Sequence, residues 1–165
     1  MFKCLLILGA VLAAGSNIGD AQATVNVEPS HLQGPRLFQD QTQKAVVRDY
    51  LFAWQSLSGA LNQNRADLLD ADFVGAAKTK LAETIQQQAG LGIHVVYQDR
   101  SHDIQVVFYS PEGLSVQLTD KVEYDVQVFD HDKVVNTKHV SARYIAVMTP
   151  AEVRWRVRVF QAESE

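Results

Sequence analysis

Asp120 stands where a strand should be apolar. From Leu114 to Phe129 the chain alternates Leu114, Val116, Leu118, Val122, Tyr124, Val126 and Val128 with polar residues, and Asp120 falls in the apolar phase between Leu118 and Val122. Period-two alternation aims such a side chain into the core. Burial raises the pKa of a carboxyl and makes it a candidate acid or base. Tyr50, Trp54, Tyr97 and Tyr124 are candidate ligand-binding residues, and with Tyr144 and Trp155 they could line a cavity around it. Both readings have a plainer alternative. A β-bulge would rotate Asp120 to a solvated rim, and aromatics at these periods more often fill a core.

Two further groups carry chemistry. His94, Asp99, His102 and Asp103 bring two imidazoles and two carboxylates close together in sequence, the donor types of a divalent-ion site. Their spacing matches no known ligand set, Asp-Arg-Ser-His-Asp also reads as an ordinary polar turn, and neither metal nor cofactor is expected. Arg154, Arg156 and Arg158 share one phase of the last strand, with Arg143 and His139 in phase on the strand before it. Such a row either pairs across strands with Glu123 and Asp125 or anchors a carboxylate, a phosphate or a partner subunit, with Ile145, Val147 and Phe160 adding apolar area on the same side. The second case leaves a homodimer open. Gly-rich phosphate loops, Gly-x-Ser-x-Gly elbows and His-Glu-x-x-His helices are absent.

The elements that must position these residues follow an N-terminal leader. Met1-Phe2-Lys3 is a short positive region, Cys4 to Ala14 an apolar run, and Ala21-Gln22-Ala23 an A-x-A site, which predicts a signal peptide over residues 1–23 cleaved after Ala23. The run is too short to cross a bilayer, so no transmembrane span is expected in the mature form. The single cysteine, Cys4, leaves with the leader, and the mature domain must be held by packing without disulfides. A composition of 47% hydrophobic and 21% charged residues with a net charge of −4 predicts one globular domain with no general attraction to nucleic acid. Residues 24–36, with Pro29, Gly34 and Pro35, read as a linker, and residues 162–165 as a frayed tail.

Between them, residues 37–161 form the domain. Val47, Tyr50, Leu51, Trp54, Leu57 and Leu61 recur at helical spacing, and Gly59 with Asn62-Gln63-Asn64 interrupts the pattern. A short second helix over Arg65–Leu69, capped by Asn64, and a third carrying Val74, Ala77, Leu81 and Ile85 follow. The period then changes to two, predicting strands at Ile93–Gln98, Ile104–Ser110, Leu114–Phe129, Val134–Met148 and Val153–Gln161. The expected fold class is α+β, three N-terminal helices packed on a strongly curved antiparallel sheet. Trp54 and Trp155 are expected to be deeply buried and to meet across the core.

Ala45-Val46-Val47-Arg48-Asp49-Tyr50-Leu51-Phe52-Ala53-Trp54 on the long helix, Glu123-Tyr124 in a long strand and a last strand reading Arg154-Trp155-Arg156-Val157 carry a family resemblance. Residues 37–161 resemble the nuclear transport factor 2-like superfamily, a cystatin-like cone that includes SnoaL-type enzymes and non-catalytic envelope and organelle domains. The resemblance implies, first, an exported, periplasmic or secreted, non-enzymatic domain of the envelope that engages a partner protein or a small apolar ligand. Alternatively it implies a small SnoaL-type isomerase, dehydratase or hydrolase with Asp120 as base and a tyrosine such as Tyr144 as electrophilic partner. A third alternative is an assembly subunit of an envelope machine.

Overall fold

A computed structural model describes residues 22–163. Most of the predicted leader and the last two residues of the predicted tail lie outside that range. The apolar phase of the first helical segment makes one continuous helix, α1 (Asp40–Gln63), whose buried face carries Val46, Val47, Tyr50, Ala53, Trp54, Leu57, Ala60 and Leu61. Gly59 does not break it, because Leu57 before it and Ala60 and Leu61 after it are all anchored in the core. The helix stops at Asn64, which adopts φ 53° and donates from Nδ2 to the Ile93 carbonyl at 2.8 Å. Asn64 therefore closes the first helix and does not open a second. Residues Ala66–Leu69 form only a 3₁₀ turn, and α2 follows over Gly75–Gly90. The described residues form two α-helices where three were expected.

Among the described residues five strands form one sheet in the order β1-β2-β3-β4-β5. They are β1 (Thr24–Val27), β2 (Ile93–Tyr109), β3 (Val116–Asp130), β4 (Lys133–Pro150) and β5 (Trp155–Ala162). The sheet is mixed, since β1 runs parallel to β2 while β2 to β5 are antiparallel neighbours. The start of the predicted linker is thus a strand. The rest of it is docked: Glu28 N–H donates to the Ile104 carbonyl at 2.9 Å, and Arg36 reaches the Glu112 carbonyl at 3.1 Å while lying over the Tyr109 ring. The predicted first and second strands are one strand, because a bulge between Asp99 and Ser101 absorbs Arg100 and carries the polar stretch through without a turn. At the other end, Ala162 still belongs to β5, and Arg143 Nε lies 3.2 Å from the Glu163 carboxylate.

One face of the sheet packs on α1 and α2. Trp54, 2% exposed, sits at the centre, with the rings of His102, Tyr124, Tyr144 and Phe160 at centroid distances of 5.4, 5.9, 5.2 and 5.2 Å. Trp155 does not meet it. It lies opposite Pro150 at the start of β5 and is half-buried, and the residue that β5 sends deepest into the core is Val157. A register shift skips Arg158, so Val157 pairs with Met148 and Val159 with Val147. That extra residue reverses the phase and turns Phe160 inward, away from the side on which it was expected to join the arginines.

Candidate functional site

The bend that would have carried Asp120 to the rim is absent. In the ladder Ile104 pairs with Asp120 and Asp120 with Tyr144 without interruption, so the alternation of β3 delivers the carboxylate fully buried under α1. Three donors receive it there. Tyr50 OH, from α1, donates to Oδ2 at 3.0 Å, His102 Nδ1 lies 2.7 Å from the same oxygen, and the Asp103 backbone N–H donates to Oδ1 at 3.1 Å.

His102 is the centre of the network. It is 2% exposed and stands between two carboxylates, Asp120 at Nδ1 and Asp99, whose Oδ2 is 3.6 Å from Nε2. Burial alone would pull its pKa down, but its bonds to Asp120 and Asp99 and their negative charges outweigh that and push it up to about 9. At neutral pH the ring is therefore an imidazolium that donates to Asp120. Burial, and after it the Asp120 charge, holds the Tyr50 hydroxyl well above its ordinary value, so Tyr50 stays a neutral donor. Tyr50, His102 and the Asp103 amide together take three of the roughly four acceptor positions of the Asp120 carboxylate.

The aromatic candidates lie around this network as packing. Tyr124 and Tyr144 bring their hydroxyls within 3.2 Å, and the Tyr97 and Tyr124 rings are 5.0 Å apart. Burial pushes the Tyr97 hydroxyl up to about 12 and raises those of Tyr124 and Tyr144. With Trp54 in their midst these rings occupy the interior of the fold. His102 does reach the wall of a pocket of ≈350 Å³, between Ala23, Val25, Leu51 and Gln55 on one side and Tyr97–Asp99 on the other.

The remaining candidates separate. His94 stacks on Phe129 at 4.8 Å, eight residues up β2 from His102 and so roughly 26 Å away along the strand. Asp103 points to the opposite face, where Asn26 donates to it at 2.8 Å. Among the described residues no group of three or more His, Cys, Asp or Glu side chains is arranged to hold a metal ion.

The arginine row does not pair with Glu123 or Asp125. Those residues face Ser141 and His139 on β4, beyond the reach of β5, which pairs only with Tyr144–Pro150. Asp125 is instead bonded by Arg100 and His139. Arg154 turns to the helical side and holds the buried Asp72 at 2.8 Å, which Ser56 also bonds, while the Trp155 backbone N–H donates to the buried Asp49 at 2.8 Å. Arg158 is exposed on the bulge.

No protein-family model and no curated protein matches the sequence. Solved structures do match. The intermembrane-space region of the chloroplast protein ARC6 has a TM-score of 0.61 at 12% identity, over 79% of this chain and 100% of that one. A proposed scytalone dehydratase from Novosphingobium aromaticivorans gives 0.53 at 13% identity, over 76% and 89%. A proposed dehydratase of the NTF2-like family from Streptomyces avermitilis gives 0.50 at 9% identity, over 72% and 95%. At these identities the similarity shows architecture alone. No helix among the described residues is long and apolar enough to cross a membrane.

Proposed function

We propose, from the nuclear transport factor 2-like fold that this chain adopts, that it is an exported, non-catalytic binding domain that engages a protein partner through its outer surfaces. The observation that carries this reading is Trp54. Its ring, with His102, Tyr124, Tyr144 and Phe160 packed around it, takes up the space in which a small ligand would otherwise sit against Asp120. In this reading the Asp99–His102–Asp120–Tyr50 network fixes the register of β2, β3 and α1. Export is supported by the leader pattern, whose expected cleavage point directly precedes β1 at Thr24. The similarity to a domain of an intermembrane space agrees with a place in an envelope.

A second reading rests on the ≈350 Å³ pocket at His102. An isomerase, dehydratase or hydrolase would present His102 to its substrate, with Asp120 behind it as a positioning residue.

Indole separates the two. Titrated into ¹⁵N-labelled protein, it should leave the Trp54 indole N–H and the His102 resonances in place, while a Trp54→Ala variant should bind indole and regain stability. Saturable shifts at Trp54 and His102 in the wild type would mean an open interior and favour the enzyme.

A further inference from the structure

The geometry points to the free edge of β1, with the groove between it and α1, as a site that takes an extended segment of a partner chain as a sixth strand. This inference rests on the binding-domain reading and names the partner's chemistry. β1 is the first strand in the order, so its outer side has no neighbour in the sheet among the described residues. The Glu28 N–H donates inward to Ile104. By the alternation of a parallel ladder, the groups turned toward β2 are then those of Thr24 and Asn26, and the N–H and C=O of Val25 and Val27 face the free edge. Thr-Val-Asn-Val contains no proline, lysine or bulge of the kind that protects edges.

The side chains agree with the backbone. Asn26 is held on the far face by Asp103, which leaves Val25 and Val27 on the face toward α1. Val27 lines a groove of ≈650 Å³ with Lys44, Val47, Arg48, Leu51 and Phe52 of α1. Phe52 is 41% and Val27 37% exposed, so the groove is apolar and open. A strand added at this edge would put alternate side chains into it while its backbone paired with Val25 and Val27. Two cations line the groove: Arg48 is paired with Asp49, whereas Lys44 forms no ion pair among the described residues. With Asp40 the one acid lining it, the groove favours a segment of alternating apolar residues that carries a carboxylate.

The test is fluorescence anisotropy with a short fluorescein-labelled peptide alternating valine and threonine and ending in aspartate. Val27→Pro removes an outward donor that takes no part in pairing with β2, and Phe52→Glu puts a carboxylate into the groove that repels the probe's own. Each should weaken binding at least about tenfold, as should methylation of alternate peptide nitrogens. Absence of saturable binding, or equal binding of the methylated peptide, would overturn the edge as the site. So would a dimer in sedimentation that Val27→Pro dissociates, since a second copy would then own the edge. The indole titration reports on the interior independently, so failure of the edge and failure of the binding-domain reading give different results.

Discussion

Nδ1 of His102 lies 2.7 Å from Oδ2 of Asp120, and both side chains are buried between α1 and the sheet. A buried imidazolium is held in place only by the carboxylates on either side of it, so the stability of the fold is tied to its protonation.

The sign of that linkage is fixed by the direction of the shift. His102 titrates near 6.5 when unfolded and at about 9 when folded, so the folded state holds the proton more tightly. Its contribution is complete below pH 6.5, declines from there and is gone above about pH 9. Urea unfolding across that range should show stability falling, and His102→Gln should flatten this part of the profile. A wild-type profile that rises from pH 6.5 to 9 would contradict the buried imidazolium.

Removing the counter-charge should be costly. Asp120→Asn leaves the imidazolium with Asp99 alone and is expected to destabilise by about 3–5 kcal/mol, as breaking a buried pair does. Tyr50→Phe removes one neutral donor and should cost about 1–2 kcal/mol. Chemical denaturation of both variants, with the His102 titration followed by NMR, checks the order. The His102 pKa should fall clearly in Asp120→Asn and only slightly in Tyr50→Phe.

The two tryptophans should differ. Trp54→Ala empties the centre of the core and should cost about 3–5 kcal/mol. Trp155 is half-buried at the end of β5, so Trp155→Ala should cost clearly less, roughly half of that. Equal losses in thermal or urea unfolding would return Trp155 to the deep core.

Asp120 was legible because a two-residue period carries over a long strand. His102 obeys the same period, two residues before Ile104 and four before Val106, all three buried. The signal was hidden by Asp-Arg-Ser-His-Asp, which has the composition of a turn. The bulge at Arg100 lets that stretch stay in the sheet, and local composition does not announce a bulge. β1 escaped for another reason: Asn26 meets Asp103 across 77 residues of chain, and a four-residue strand whose partner is that distant leaves little local pattern. The same limit explains Phe160, whose face depends on one skipped residue at Arg158.

The arginine row gives the last prediction, because Arg154 and Arg158, which share a phase in sequence, have different surroundings in the fold. Arg154 is the ionic partner of Asp72, which is 3% exposed and has only Ser56 besides. Arg154→Gln would leave a buried carboxylate without its counter-charge and should cost about 2–3 kcal/mol, near the upper end for a charged hydrogen bond. Arg158 is exposed on the bulge and forms no ion pair among the described residues, so Arg158→Gln should change stability by less than about 0.5 kcal/mol. Asp72→Asn should soften the Arg154 effect, since an amide needs no cation, and the Asp72→Asn, Arg154→Gln double variant should be less destabilised than the sum of the singles. Urea unfolding of the four proteins measures the coupling. Additive losses would mean that Arg154 acts through its stem packing and not through Asp72, and a large loss at Arg158 would place that side chain in a contact of its own.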